Sequence, residues 1–347
     1  MKQLFFWILL VSIASALSQE QEAKDSVTLP FKYIEDYTNQ LNIKLELSNE
    51  IPAYKIPFEG SSIKIKPNLG LRYAFVFNYK WASLRLGIRP NNANDEEKGD
   101  PKTFRLKFKL IFPRWSHHFE YNQVKGYYVS DEDFVQNYSN NHFIFPDLKT
   151  KVFSGVTAYK FNSKYSLRAT ESHTEVQLRS AGSFIPSITY MIYGINGLDN
   201  YIDEDGNPQF RENFSDNSGF TGILNLAYYY TFVYKKWYAS IFAAPGFGYD
   251  FRKVTEYNNN LSEKSNHNAF LTSLNAGSSI GFNDKKIYFG LSFKHSAMDF
   301  KHSEERIEYL SSQNAYFLFF GYRFKAPKVV TKPINKIEQT IPVLKQD

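Results

Sequence analysis

The most regular feature of the sequence is an alternation of apolar and polar residues with a period of two. Between Thr103 and Phe112 most odd positions are Lys or Arg, and the even positions are Phe104, Leu106, Phe108, Leu110 and Phe112. Leu69 to Tyr79 and Ala315 to Phe324 show the same period. Because successive side chains of a strand point to opposite faces, the pattern predicts strands with one apolar and one polar face.

The links between these predicted strands alternate in length. Short links at 78–81, 113–116, 234–237 and 283–286 join the strands at one end, whereas long polar links join them at the other end. The long links are 49–65, 91–102, 130–149, 196–218, 253–267 and 301–312. A soluble sandwich also alternates apolar and polar residues. Short turns on one side and long loops on the other are instead typical of outer-membrane barrels.

The fold that we predict is all-β, a transmembrane antiparallel up-and-down β-barrel of about 12 strands. Counts of 10 or 14 also fit the pattern, since predicted boundaries shift by a few residues. The predicted strands are 40–48, 67–79, 81–90, 103–113, 116–129, 150–162, 183–195, 219–234, 236–252, 268–282, 286–300 and 313–324.

The strand "AYFLFFGYRF" (315–324) is predicted to close the barrel with its aromatic side chains toward lipid. In water such a strand would promote aggregation. Its last outward residues, Phe320, Tyr322 and Phe324, resemble the assembly signal that outer-membrane barrels present to the barrel-insertion machinery. The chain continues for 23 residues beyond Phe324.

The N-terminal sequence predicts export, and together with the barrel pattern it predicts a location in the outer membrane of a Gram-negative bacterium. Lys2, an apolar run over 4–17 and small residues before Gln19 have the form of a cleaved signal peptide. The predicted organisation is a signal peptide at 1–18, a periplasmic N-terminal segment at 19–38, a barrel at 39–324 and a flexible periplasmic tail at 325–347.

Composition excludes several classes of site and partner. The chain of 347 residues has no cysteine, so disulfides and thiolate metal sites are excluded, while Phe and Tyr are abundant at 32 and 25 residues. Without residues 1–18, 40 Lys and Arg face 35 Asp and Glu, a net charge of +5. No segment concentrates this small excess, so no nucleic-acid partner is predicted.

The face opposite the apolar one is predicted to form a basic wall inside the barrel. Its members are Lys44, Arg72, Arg85, Arg89, Arg105, Lys107 and Lys109. Because basic rings favour anions, the first functional hypothesis is a narrow, plugged or open channel for small anionic solutes. The alternatives are a non-conducting structural or surface-interaction barrel, whose wall charges pair with acidic residues, and a lipid-modifying enzyme.

The segment 165–183 breaks the rule of short links and is a candidate plug or gate. It carries Arg168, Glu171, Glu175 and Arg179, and a helix would place residues four apart on one face. Folded into the lumen, its carboxylates would meet the basic wall. A long turn, or an extension of the adjacent strands, is the alternative.

Catalytic and cofactor motifs are not found, so we predict no enzymatic activity, no cofactor and no metal site. Ser292 and His295 lie on opposite faces of one predicted strand, and the acidic stretch 201–210 lacks the ligand spacing of a calcium loop. The predicted partners are outer-membrane lipid and lipopolysaccharide, besides the insertion machinery and a small anion.

Five short motifs resemble an uncharacterised family of Bacteroidetes outer-membrane proteins described as a domain of unknown function (family 4421). They are "FNYKWASLRLG" (77–87), "YNQVKGYYV" (121–129), "RATESHTEVQLRSAGSF" (168–184), "YYYTFVYKKW" (228–237) and "FFGYRF" (319–324). The motifs run in order over roughly residues 28–324. The resemblance implies an outer-membrane β-barrel, and it implies no catalytic residues.

Overall fold

The structure is a computed structural model that describes most of the chain. The described residues are 32–58, 61–88, 98–129, 143–203, 205–210, 214–258, 261–300, 308–309, 312–341 and 344. The predicted signal peptide, Arg89 and most of the predicted segment 19–38 lie outside these residues.

Twelve antiparallel strand paths form a closed ring, as the alternation predicts. Around the ring they are β2 (Gln40–Ser48), β5 (Arg72–Tyr79), β6 (Ala82–Ile88), β7 (Lys102–Ile111), β8 (Trp115–Val129), β9 (Ile144–Tyr159), β11 with β12 (Ala181–Phe184, Ser187–Asn196), β15 with β16 (Phe214–Asn225, Tyr228–Tyr234), β17 (Trp237–Asn258), β18 (Leu261–Asn283), β19 (Ile287–Phe300) and β21 (Ser312–Lys325).

The ring closes between its first and last strands. Strand β2 pairs with β21 on one edge and with β5 on the other, with Leu45 opposite Phe320 and Phe75. The paths β11–β12 and β15–β16 are each interrupted by two residues, at 185–186 and 226–227, and β17 pairs with both halves of the second path. Closure removes every strand edge from the ring, which a spanning sheet requires.

The remaining strands are short and are not part of the twelve paths. β1 (Ile34–Asp36) pairs with β10 (Glu175–Gln177), and the other short strands are β3 (Tyr54–Phe58), β4 (Ser61–Lys66), β13 (Asn200–Ile202), β14 (Pro208–Phe210) and β20 (Glu308–Tyr309). The hairpins β3–β4 and β13–β14 fall within links that the sequence predicted to be long loops.

The two faces of the ring differ in chemistry. Phe104, Leu291 and Leu318 point outward with 56%, 56% and 52% of their surface exposed. Inward positions are polar and closely packed, and Arg323 and Asp250 are each only 1% exposed. An apolar exterior around a polar interior is the reverse of a soluble barrel and fits a lipid surrounding.

The described residues also include two helices, α1 (Arg168–Glu171) and α2 (Lys328–Thr340). None of the described helices is long and apolar enough to cross a membrane. Helix α2 occupies the segment that the sequence predicted to be a flexible tail. The segment is ordered as a helix because Ile334, Ile341 and Leu344 pack with Trp81 and Phe112 at the rim of the barrel.

Candidate functional site

The lumen wall on one side of the barrel is charged. Inward positions of β2 and of β5 to β8 follow the period of two, so each strand contributes charged side chains to the same interior surface. Of the predicted basic wall, the described members that point inward are Lys44, Arg72, Arg85, Arg105, Lys107 and Lys109.

Carboxylates neutralise much of this wall. Glu46 accepts a hydrogen bond from Nε of Arg85 at 2.8 Å, and its other oxygen lies 3.2 Å from Nζ of Lys44. Glu120 on β8 lies 2.5 Å from Nε of Arg105 and 3.2 Å from Nζ of Lys107. The wall is therefore a network of ion pairs rather than a ring of unpaired cations.

Glu50 is a lumen residue that the sequence analysis placed in a long loop. It lies two residues beyond the end of β2, and its carboxylate is 2.8 Å from Nη1 of Arg105 and 3.0 Å from Nζ of Lys107. The backbone oxygen of Glu50 also accepts a hydrogen bond from Arg72 at 3.3 Å. Continuing the inward parity of Glu46 and Ser48 past the strand end would have identified it.

Residues 160–180 enter the end of the lumen that carries the short turns, and we call them the plug. Helix α1 and strand β10 belong to it, and Arg168, His173 and Thr174 are buried. The segment predicted to be a plug or gate thus lies inside the barrel.

Polar contacts tether the plug to the wall. Arg168 donates from Nε to the carbonyl oxygen of Ile111 at 2.9 Å and from Nη1 to Glu175 at 3.0 Å. Glu171 forms an ion pair with Lys109. Three of the four predicted plug residues therefore take part in ion pairs. The fourth, Arg179, has an exposed side chain, and its backbone oxygen accepts from Gln177 at 2.9 Å.

The predicted helical face across Glu171 and Glu175 is wrong. Helix α1 ends at Glu171, and His173 adopts a positive φ of 54° that turns the chain. Glu175 consequently lies in strand β10, where it binds Arg168 and the hydroxyl of Ser166 at 2.6 Å. A left-handed residue is uncommon outside glycine, and the surrounding contacts of His173 hold it there.

Those contacts involve side chains of β2 and β19. Asn42 on β2 donates to the carbonyl oxygens of Ser172 at 2.9 Å and of His173 at 2.8 Å. The imidazole of His173 stacks on the ring of Tyr288, with centroids 4.3 Å apart and planes inclined by 7°.

Among the described residues, two cavities lie against the charged wall of the lumen. The lower one, of about 140 Å³, lies against the plug, and its charged lining is Lys44, Glu46, Glu50, Arg85, Lys107, Lys109, Glu171 and Lys294. The upper one, of about 220 Å³, is lined by Glu50, Arg105 and Glu120 among others. Glu50 lines both cavities, so its ion pairs lie where the two meet.

The lower cavity retains an excess of positive charge. Its five cations face three carboxylates. Among the described residues no carboxylate lies within 4 Å of Nζ of Lys294, which instead stands 5.7 Å from the ring centroid of Phe317. Hydroxyl groups of Ser240, Ser279 and Ser292 add to the lining. The arrangement can hold a small anion by charge and hydrogen bonding.

At the short-turn end, the pKa values of Lys160 and Asp284 are lowered. Burial lowers the pKa of Lys160 to about 8, and its Nζ donates to the carbonyl oxygen of Tyr165 at 2.5 Å. Hydrogen bonds from Lys236 and from the backbone of Lys285 lower the pKa of Asp284. Lys160 thus supports the base of the plug through its hydrogen bond to Tyr165.

The histidines that the structure describes do not form a recognisable catalytic group. Ser292 points into the lumen and His295 outward. Ser265 Oγ lies 2.8 Å from Nε2 of His267 on β18, a contact that the sequence analysis did not single out. Within the part of the chain that the structure describes, no three His, Asp or Glu side chains group as they would around a metal ion.

The predicted assembly-signal residues lie on the outer face of β21. Phe320 and Tyr322 are 52% and 41% exposed, and Phe324 alternates with the buried Arg323. Their placement agrees with the parity of the sequence, and recognition by the insertion machinery stays a prediction.

Comparison with known proteins adds a family and a set of distant structural likenesses. The β domain of the Bordetella autotransporter BrkA is 10% identical, with 82% of this chain and 100% of that chain covered and a TM-score of 0.37. The Pseudomonas putida toluene transporter TodX is 9% identical, with 85% and 91% covered and a TM-score of 0.28. CdiB from Acinetobacter baumannii is 8% identical, with 82% and 60% covered and a TM-score of 0.26.

These scores are too low to support any statement about activity. No curated protein matches the sequence. A family model matches residues 23–324, which include the plug and all twelve strand paths except the last residue of β21. The chain therefore belongs to the family described as Domain of unknown function (DUF4421), and it is a transmembrane β-barrel of the outer-membrane type.

Proposed function

We propose that this protein is a narrow channel for small anions in the outer membrane of a Gram-negative bacterium, closed by its plug in the state described. The short-turn end would face the periplasm and the long loops the cell exterior, as in bacterial barrels. The observation that carries the proposal is the excess of cations around the lower cavity.

Displacement of the plug would strengthen the preference for anions. The plug contributes Glu171, one of the three carboxylates at the lower cavity, whereas all five cations belong to barrel strands. Without the plug, these five cations would share the cavity with Glu46 and Glu50, and Glu120 would still pair with Lys107. An excess of Lys and Arg at a constriction attracts anions and excludes cations.

The tethers of the plug suit a reversible closure. They are ion pairs and hydrogen bonds, such as Lys109 to Glu171 and Arg168 to Ile111, which water and wall residues can replace after release. Apolar contacts are also present, since Tyr165 and Leu167 pack with Ala158 and Ile185. We propose that this apolar part hinges the plug and that the polar part is released.

The test is single-channel recording of the refolded protein in planar bilayers under a salt gradient. A variant with residues 166–178 replaced by a short Gly-Ser linker should pass current with a reversal potential that favours anions, while the intact protein stays closed. Adding Arg85→Gln to the deletion should reduce the anion preference, and adding Glu50→Gln should increase it.

A second candidate is a non-conducting structural barrel. It is favoured by the carboxylates Glu46, Glu50 and Glu120, which form ion pairs with four of the six described wall cations without help from the plug. Silent recordings from both the intact and the plug-deleted barrel, with native heat resistance on gels, would favour this role over a channel.

The proposal does not include catalysis. A lipid-modifying enzyme needs a nucleophile and its base together at a surface that lipid reaches. Ser292 and His295 point to opposite sides of β19. Phospholipid hydrolysis by the refolded barrel, lost on Ser265→Ala or His267→Ala, would contradict this part of the proposal.

A further inference from the structure

Helix α2 is docked on the barrel by one face. Glu338 is 7% exposed, lies 2.5 Å from Nζ of Lys80, and accepts a hydrogen bond from the indole Nε1 of Trp81 at 3.1 Å. Ile334 and Ile341 pack with Trp81 and Phe112 in the same cluster. The contacts fix the helix beneath the turns that join β5 to β6 and β7 to β8.

The docking site lies at the edge of the lipid-facing surface and not in the lumen. The cluster includes Leu110 and Trp115, which share the outward parity of Phe108 and Phe119 on their strands. The helix therefore lies where the apolar band of the barrel ends and phospholipid headgroups begin.

The opposite face of the helix is basic. Lys328, Lys332 and Lys336 are four residues apart, so they form one row along the helix, and each is exposed. None of the three forms an ion pair with a carboxylate in the part of the chain that the structure describes. The only carboxylate within the helix, Glu338, already binds Lys80 and Trp81.

An apolar flank separates this basic row from the docked face. Val329 is 78% exposed and Ile337 is 39% exposed. Each directly follows a lysine of the row, Lys328 and Lys336 respectively. A helix with exposed apolar residues beside a row of lysines is typical of segments that lie in the interface of an anionic membrane.

We propose that helix α2 binds the phosphate groups of anionic phospholipids in the leaflet next to the short turns. Lys328, Lys332 and Lys336 would contact the phosphates, and Val329 and Ile337 would enter the headgroup region. Charge complementarity and continuity with the lipid-facing surface at Leu110 and Trp115 select lipid as the partner. This inference is independent of whether the lumen conducts.

The lack of native cysteine allows a specific probe of the helix. Thr340→Cys would carry the only thiol, at an exposed position on the same flank as Val329 and Ile337. The labelled barrel is placed in nanodiscs of phosphatidylethanolamine and phosphatidylcholine, with and without phosphatidylglycerol. Quenching of an environment-sensitive fluorophore by acrylamide is then measured.

We expect quenching to fall at least about two-fold when phosphatidylglycerol is present, and to recover at high salt because the attraction is electrostatic. The triple variant Lys328→Gln, Lys332→Gln, Lys336→Gln should abolish the dependence on phosphatidylglycerol. The matched control, Lys235→Gln, Lys285→Gln, Lys286→Gln, removes three exposed lysines from other turns at the same end and should keep it.

Three outcomes would overturn the proposal. Equal quenching in both lipid mixtures would show that the helix does not sense anionic lipid. Loss of the lipid effect in both triple variants would assign it to the general charge of this end. Protection by soluble polyglutamate, but not by phosphatidylglycerol, would assign the basic row to an acidic protein.

Discussion

Arg323 on the closing strand donates a hydrogen bond from Nε to the carbonyl oxygen of His173 in the plug, at 2.7 Å. The same carbonyl oxygen accepts from Nδ2 of Asn42, on the first strand of the ring, at 2.8 Å. One backbone group of the plug thus joins the two strands that meet at the seam of the barrel. Closure of the ring and seating of the plug are therefore coupled.

Replacing Arg323 by Met should loosen the plug. Arg323 is 1% exposed, and its guanidinium also donates to Oδ1 of Asn283 at 2.6 Å and to the carbonyl oxygen of Asp284. The variant leaves these two acceptors without this donor, whereas the carbonyl oxygen of His173 keeps its bond from Asn42. Because each such group costs about 1–3 kcal/mol, we expect the free energy of unfolding to fall by at least about 2 kcal/mol. Urea titration in detergent measures it, and Lys325→Met, at an exposed position on the same strand, should have little effect.

The same variant should expose the plug to protease before the barrel unfolds. Cleavage between residues 160 and 180 should be faster in Arg323→Met than in the wild type under native conditions. Equal cleavage rates would show that Arg323 stabilises the seam without holding the plug.

Gly321→Ala should destabilise the seam by a steric effect. The ring of Tyr288 covers Gly321 so closely that a Cβ atom would overlap it. Tyr288 donates a hydrogen bond to Asn42 and stacks on His173, so its displacement disturbs the plug as well. We expect a lower midpoint of thermal unfolding in detergent. Gly194→Ala, where a Cβ would meet no atom within 4 Å, should leave the midpoint unchanged, and similar losses in both variants would contradict this explanation.

Leu318→Arg tests the lipid-facing side of the closing strand. Leu318 points outward and is 52% exposed, so the variant places a cation against hydrocarbon. The expected cost is about 2–4 kcal/mol if the residue lies near the bilayer midplane, with less folded barrel recovered in liposomes. Gln313→Arg on the same strand points into the upper cavity beside Glu50 and Glu120, and it should assemble normally. Normal assembly of Leu318→Arg would mean that the face is wrongly assigned.

The contribution of Lys160 to the free energy of unfolding should rise with pH. Burial lowers the pKa of Lys160 from 10.5 to about 8, so between these values the unfolded chain binds a proton that the folded chain has released. Stability rises with pH wherever the unfolded state binds more protons. The difference in unfolding free energy between wild type and Lys160→Met should therefore shift in favour of the wild type from pH 8 to pH 10.5. A difference that is constant over this range in urea titrations would contradict the prediction.

The strands and their faces could be predicted from the sequence because strand parity is a local property. The predicted strand 40–48 coincides with β2, and the outward positions of β7 are the Phe and Leu positions of the alternation. Both faces of a transmembrane barrel strand have a strong chemical preference, so a shift of one residue would be evident in the pattern.

The contacts inside the lumen could not be predicted in the same way. Asn42 meets His173 across 131 positions of the chain, and Glu50 meets Arg105 across 55, which no periodicity encodes. The left-handed backbone of His173, which ends the expected helix, depends on those same distant contacts.

Helix α2 could have been predicted from the sequence, but the sequence analysis did not predict it. Val330, Ile334, Ile337 and Ile341 follow the spacing of an amphipathic helix. Pro333 and the lysines of this segment suggested a flexible tail instead. Tertiary packing on Trp81 and Phe112 compensates for the internal proline.

The pairing of Leu45 with Phe320 also sets the order in which the barrel is completed. These residues are 275 positions apart in the sequence, and β2 has one unpaired edge until β21 reaches it. Contacts at such a separation form slowly, since a long loop must close first. Throughout that interval the open ring exposes both backbone donors and an aromatic surface to water. A chain that has not yet paired β21 with β2 would therefore need its open edge and its aromatic face shielded from water.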